Sequence, residues 1–380
     1  MVDRKKNSVL KKFSRFENNM RSRFFGFPFA AISAMTRWEI YGKENLMEVL
    51  EERKFDPKGI ITVSNHVSLF DDPIMIVALM NIQNFSDRTK CWYSTACANN
   101  FNPVGKNFTS RFIRYFSRVA NMIFLSRAKK NGGSPPVILD DPLEYLSECI
   151  DSRGMRMLQR KAHREGRDIS SYLKSFYTTG PDGTNGRNAS FNQIGMIESI
   201  ARVNAGQWVH LFPEGARSRT IHLKMPKAGV GKVIYHSSGS AVLPICVYGM
   251  QDVLPIGSLV PRFFKKVIIN VGKPISESDL SEHRRRTAGT EAYSGISRLA
   301  MRQIALLRPF VLHRYLGEEK ASTVLLEEAQ LARALKSIDA PPSFKDAFVE
   351  PYAEPYADRK SEEEYGRLPS FAPQRLRVRS

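Results

Sequence analysis

The chain has 380 residues, of which 42% are hydrophobic, enough apolar material for a substantial core and too much for a chain that stays unfolded throughout. Its 57 Lys and Arg against 38 Asp and Glu leave a formal charge of +19, which points to an anionic partner, either nucleic acid or an acidic membrane surface. There is no zinc-finger spacing, no aromatic RNA-binding run and no long basic tract to support nucleic acid, and the four cysteines at 91, 97, 149 and 246 form no C-x-x-C pair, which argues against a disulfide framework or a metal cluster.

Residues 1 to 37 carry nine Lys or Arg against only Asp3 and Glu17. Val9, Phe13, Phe16 and Met20 fall at helical spacing opposite Lys11, Lys12 and Arg15, a pattern that suits a helix lying in a lipid headgroup layer. The apolar run Phe24 to Met35 is short of the roughly 20 residues that a spanning helix needs. Trp38 to Tyr41 reads as a strand, Glu44 to Arg53 as a helix and Ile60 to Val63 as a short buried strand that ends abruptly in the polar residues Asn65, His66 and Ser68. A helix follows. Asp72 as its N-cap with Pro73 at the first helical position fits better than a capping box from Ser68 to Asp71, which would leave Pro73 inside the helix.

His66 and Asp71 are five residues apart around this turn. That is close enough for the carboxylate to hold the imidazole in one tautomer, so that the other ring nitrogen can take a proton from a hydroxyl, a service worth roughly 10² to 10⁴ in rate. No serine or cysteine nucleophile is required if the hydroxyl belongs to the substrate.

Further along, Ile82 to Thr89 reads as loop, Lys90 to Thr95 as a strand, Phe108 to Phe116 as an amphipathic helix and Ala120 to Leu125 as a strand ending in Ser126-Arg127. Pro142 to Ile150 and the charged stretch Met155 to Tyr177 read as helical. Phe191 to Ala205 is expected to be a helix capped by Ser190 and closed by Gly206. The strand Trp208 to Leu211 then runs into the turn Phe212-Pro213-Glu214-Gly215. Ala241 to Tyr248 is a strand that Pro244 demotes to an irregular or edge position. Val267 to Val271 is another strand, and Ser294 to Leu307 and Gly317 to Ile338 are helices. Residues 340 to 380, rich in Pro and charge, are expected to be disordered.

The block Asn65-His66-x-Ser68-x-x-Asp71-Asp72-Pro73 closely resembles the first, H-x4-D, signature of the glycerolipid acyltransferases, and its doubled aspartate with proline looks like the tafazzin branch. Trp208 to Gly215, followed by Arg217 and Ser218, resembles the second signature, in the expected order and at a compatible separation. The resemblance covers roughly residues 38 to 275, with an insertion at 128–190. It implies an α/β fold, a mixed twisted sheet flanked by helices, divided into a membrane-binding segment 1–37, an acyltransferase domain 38–316 and a C-terminal helix with a tail, 317–380.

The resemblance further implies an enzyme that moves a fatty acyl chain onto the free hydroxyl of a lysophospholipid. His66 and Asp71 would be catalytic, and Asn65, Ser68, Arg127, Glu214, Gly215, Arg217 and Lys227 would bind substrate, with Lys224 in the same basic stretch. By likeness to tafazzins the acyl donor is another phospholipid and the context is cardiolipin remodelling at a mitochondrial membrane, to which the chain is peripheral or monotopic. Arg217-Ser218 is more usual in acyl-CoA-dependent lysophospholipid acyltransferases, so acyl-CoA stays open as a co-substrate. No metal and no other cofactor is implied.

Overall fold

A computed structural model describes residues 27–68, 71–80, 92–97, 121–125, 138–177, 192–258, 260–287 and 289–336. The basic segment before residue 27, the loop 82–89, the helix expected at 108–116, Arg127 and the tail from 340 lie outside them. Seven strands form one sheet: β1 (Arg37–Tyr41), β2 (Ile60–Ser64), β3 (Trp92–Cys97), β4 (Met122–Leu125), β5 (Trp208–Leu211), β6 (Ala241–Tyr248) and β7 (Lys266–Val271), in the order β1-β7-β6-β2-β5-β3-β4. Around it are α1 (Phe27–Ala34), α2 (Lys43–Phe55), α3 (Asp71–Leu79), α4 (Leu143–Cys149), α5 (Ser152–Arg164), α6 (Ile169–Lys174), α7 (Ile194–Asn204), α8 (Ala228–Tyr235), α9 (Met250–Val253), α10 (Glu277–Arg286), α11 (Gly289–Leu316) and α12 (Glu318–Lys336). This is the mixed, helix-flanked sheet that the sequence leads one to expect.

Every neighbouring pair of strands is parallel except β6 with β7. The central strands β2, β5 and β6 are buried along nearly their whole length, which is why they read as continuous apolar runs rather than alternating ones. From β2 the chain crosses the sheet toward β3, whereas from β4 to β5 and from β5 to β6 it crosses the opposite way. Right-handed crossovers therefore place α3 on one face and α7 and α8 on the other. Consistently, α7 packs on α8 and α8 on α11, while α3 packs on α1. The loops that leave adjacent β2 and β5 thus diverge above the carboxyl edge of the sheet, the position where open α/β sheets leave a crevice.

Three local expectations are corrected. Helix α3 begins at Asp71, not after Asp72. Pro73 still causes no break, because it sits in the first turn, whose N–H groups have no intrahelical partner in any case. Pro244 lies in a central strand between β2 and β7. Its carbonyl accepts from Gly272 N (2.8 Å), so its ring nitrogen faces the β7 side at the end of the antiparallel ladder, where the missing N–H costs only the reciprocal bond of that terminal pair. Helix α11 runs through Pro309 instead of stopping at Leu307, with Val311 and Leu312 buried beyond the proline. Elsewhere, α7 takes Gln193 as its N-cap, Gly206 follows its end at φ 74°, and α10, capped by Ser276 Oγ accepting from Asp279 N (3.1 Å), was not foreseen.

Between residues 138 and 177 the chain forms α4, α5 and α6, which are packed down rather than projecting. Tyr145 Oη donates to Glu198 on α7 (3.0 Å), Arg202 on α7 donates to Cys149 O (3.1 Å), and Phe176 meets His236 at the end of α8. The charged stretch expected as one helix is two, parted at Gly166.

The contact between α8 and α11 leaves no room for a side chain at Gly231, where a Cβ would stand 1.8 Å from Tyr293 O. Alanine would gain about 1 kcal/mol of helix propensity there, and a backbone clash outweighs that. Gly231→Ala is expected to lower the unfolding free energy by about 2–3 kcal/mol in urea titration. Gly229→Ala, whose Cβ would meet only Met196 Cε at 3.4 Å, is expected to be neutral or stabilising by up to about 1 kcal/mol.

Candidate active site

The carboxyl ends of β2 and β5 carry the two blocks and bring them together. From β2 the chain passes through Asn65, His66, Val67 and Ser68 to Asp71 at the start of α3. Asp71 is fully buried, and its Oδ2 accepts from three donors: Val67 N (2.6 Å), Ser68 N (2.8 Å) and His66 Nδ1 (2.9 Å). With Nδ1 donating to Asp71, the neutral ring carries its lone pair on Nε2. The His66 side chain is 16% exposed, and Nε2 has no partner among the described residues. On one side the ring stacks on Phe212, with centroids 4.0 Å apart.

The turn after β5 grips the same residue from both ends of its peptide. Glu214 Oε1 accepts from His66 N (2.9 Å), and Ser218 N donates to His66 O (2.7 Å). The second oxygen of Glu214 accepts from Lys224 N (3.3 Å). Burial pushes the Glu214 carboxyl up to about 8 against the pull of these two N–H groups, and burial likewise raises Asp72 to about 7. Asn65 joins a third strand: its Nδ2 donates to Val247 O (2.7 Å) and its Oδ1 accepts from Val247 N (2.8 Å), extending the pairing of β2 with β6 by one side chain. Ser68 Oγ donates to Leu254 O (3.1 Å).

Beneath His66 lies a second histidine that sequence reading did not single out. The Ser64 hydroxyl donates its one proton to Asn65 O (3.1 Å), so toward His210 Nε2 (3.1 Å) it accepts, and the proton of the neutral His210 ring is on Nε2. His210 Nδ1 therefore accepts from Thr62 Oγ1 (2.8 Å), which itself accepts from the Trp208 indole N–H (2.9 Å). The signal in the sequence was alternation: Thr62 and Ser64 on one strand and Trp208 and His210 on the next, registered side by side.

Around the opening stand cations. Gly215 turns the chain with φ 63° and is exposed. Arg217 is half-buried and Lys227 is exposed at the N-cap of α8, and neither has an acidic partner among the described residues. Lys224 Nζ donates to Arg217 O (2.7 Å). This loop is also tied to the far end of the chain. His222 Nδ1 bonds Glu328 of α12 (2.6 Å), and Glu328 pairs with the buried Arg308 of α11, which donates to Ile221 O (3.0 Å) and to Tyr248 Oη (2.9 Å). The structure therefore brings together all the expected site residues that it describes; Arg127 lies outside it. Val67 N and Ser68 N both donate to Asp71 and are not available to a substrate.

Residues 37–248 match the family model described as Acyltransferase. Taffazin of Dictyostelium discoideum is 37% identical over 95 residues, 23% of this chain and 33% of that protein. Tafazzin of Drosophila melanogaster is 25% identical over 245 residues, 63% of this chain and 46% of that protein. The chain thus spans between a third and a half of the length of these relatives.

The buried histidines set an acid limit on the fold. Burial pushes both His210 and His236 down to about 3 from 6.5. Both are neutral when folded, while the unfolded chain takes up protons below pH 6.5. Their contribution is therefore complete above pH 6.5 and is lost as the pH falls toward 3. Denaturant midpoints measured from about pH 7 to about pH 4 are expected to fall steadily. His210→Phe should be less stable at neutral pH, because Thr62 and Ser64 lose their partner, and should show a shallower slope.

Proposed function

This chain belongs to the acyltransferase family and is tafazzin-like, and from that premise we propose that it is a phospholipid–lysophospholipid transacylase acting in cardiolipin remodelling at a mitochondrial membrane. The observation that carries this reading is the bond from His66 Nδ1 to Asp71, which leaves Nε2 of a partly exposed ring without a partner among the described residues, while Ser218, next to Arg217, holds the His66 backbone. Nε2 takes the proton of the lysophospholipid hydroxyl, and that oxygen forms a bond to the donor's ester carbonyl carbon. The bond from that carbon to the leaving oxygen breaks, and the imidazolium returns its proton to the leaving group. Asp71 holds the tautomer and stabilises the cation in between. Arg217 and Lys227, with Lys224, hold the glycerol phosphate, for which cationic donors are suited. Gly215 lets the lipid approach the turn closely. Asn65, Ser68 and Glu214 act on the substrate indirectly, because their polar atoms are committed to the protein's own backbone and they position the His66 loop.

A second reading takes acyl-CoA as the donor, on the strength of Arg217-Ser218. Ser218 has a local role that weakens this: it is 5% exposed, its N–H holds His66 O, and its one hydroxyl proton lies between two carbonyl acceptors, His222 O (3.0 Å) and Thr220 O (2.9 Å). Its presence is accounted for by closure of the loop, whichever donor is used. No described helix is long and apolar enough to cross a membrane, which is compatible with peripheral association.

Purified full-length protein given radiolabelled phospholipid and lysophospholipid is expected to exchange acyl chains without CoA; exchange that begins only on adding acyl-CoA would replace the transacylase with the second reading. His66→Ala should abolish transfer while leaving vesicle binding intact, with a lower melting temperature because buried Asp71 loses a donor and Phe212 a stacked ring. Asp71→Asn should lower kcat by about 10²–10⁴-fold, with a smaller effect on KM.

A further inference from the structure

We propose that residues 254–258 and 260–265 form a membrane-docking surface that seats its apolar side chains among the headgroups of an anionic phospholipid bilayer. Eight large hydrophobic residues are exposed among the described residues, and four of them lie within this one loop: Ile256 (46%), Val260 (70%), Phe263 (42%) and Phe264 (65%). Scattered singly, such residues are ordinary; gathered on one projecting turn they mark a contact surface.

Charge on the same turn chooses the occupant. Arg262 and Lys265 flank the two phenylalanines, both are exposed, and neither has an ion-pair partner among the described residues, whereas the next residue, Lys266, is paired with Glu39 (3.1 Å). Aromatic side chains bracketed by free cations fit an interface whose surface is anionic and whose interior is apolar.

The loop also holds its shape at a cost. Phe264 has φ 61°, a conformation that a bulky side chain rarely adopts, and its N–H is held by Met35 O (2.6 Å) while Lys265 O accepts from Arg37 N (2.9 Å). These bonds sew the loop to the stretch just after the apolar helix α1. At its other end Leu254 O accepts from Ser68 Oγ, two residues from His66. A bilayer bound at the loop is therefore bound beside the candidate site. The proposal takes its relevance from the lipid substrate proposed above, and its test reads binding separately from catalysis.

Full-length protein is sedimented with vesicles of phosphatidylcholine alone and of phosphatidylcholine mixed with phosphatidylserine. The double variant Val260→Ser/Phe264→Asn is chosen because Asn accepts the left-handed conformation, so its melting temperature should not fall. It is expected to partition about tenfold more weakly onto both kinds of vesicle. Arg262→Gln/Lys265→Gln is expected to lose about tenfold on the anionic vesicles alone, the difference vanishing at high salt. Both variants should keep wild-type transfer on lysophospholipid dispersed in detergent and lose it on vesicles. Wild-type partitioning by either variant overturns the proposal, as does a change of oligomeric state in place of lipid binding, which would make the loop a contact between copies of the chain. Absence of transfer in every protein, wild type included, overturns the catalytic reading and leaves the binding result standing.

Discussion

One carboxylate oxygen organises the candidate active site. Asp71 Oδ2 takes two backbone N–H groups and one imidazole N–H, all from the three consecutive residues His66, Val67 and Ser68. A fully buried carboxylate needs such donors, because water is not there to solvate it. It also sits in the first turn of α3, where the helix dipole favours negative charge. The same three bonds that make the burial tolerable fold the loop back over the start of the helix and fix the proton on one ring nitrogen. The five-residue spacing follows from this geometry: fewer residues would not let the loop reverse over the helix start, and more would leave backbone amides that Oδ2 could not reach.

Around that centre the holding groups are buried and the reacting groups are not. Glu214, Asn65, Ser68 and His210 direct their polar atoms into the protein, and each fastens the His66 segment to a different neighbour: the turn after β5, strand β6, the loop after α9 and the floor of the sheet. Glu214 and Ser218 take opposite ends of the His66 peptide, so that residue cannot rotate without breaking contact with the second block. The cationic loop is fixed in turn from outside by His222, Glu328 and Arg308, so α12, more than a hundred residues downstream of His66, helps to set where Arg217 and Lys224 stand.

How much of this was legible in the sequence depended on the range of the interaction. The pairing of His66 with Asp71 is local, and a spacing in one chain segment suffices to see it. Strands β2, β5 and β7 were legible because their apolar runs end sharply. Pro244 is not legible as a central-strand residue, because the rule against proline there concerns ladder donors, and only the register of β6 with β7 reveals that this one falls at the last pair, where a single terminal bond is forgone. Asp72 was taken for the N-cap because Asp-Pro is a good helix start, and the stronger demand, the three donors on Asp71, involves a histidine that no capping rule mentions. Glu328 and Arg308 carry no local signal, since their partners are 106 and 87 residues away in the chain.

The antiparallel pairing of β6 with β7, alone of its kind among the described strands, ties the loop proposed for docking to the candidate active site. β2, β5 and β6 all deliver their following loops to the carboxyl edge, where His66 and Glu214 lie. A parallel crossover after β6 would carry the chain back to the opposite edge before the next strand began. Because β7 instead runs antiparallel to β6, the chain from Gly249 to Lys265 stays on the edge that bears His66, which is why Leu254 can meet Ser68. β1 is parallel to β7, so it too begins at this edge, with Arg37 opposite Lys266, and the apolar helix α1 that precedes it arrives there as well. Reversing two of the seven strands thus gathers the candidate site, the exposed aromatic loop and the entry of the N-terminal segment on one side of the sheet. That arrangement suits the lipid substrate and the docking surface proposed above, since a single approach to a bilayer would then present all three.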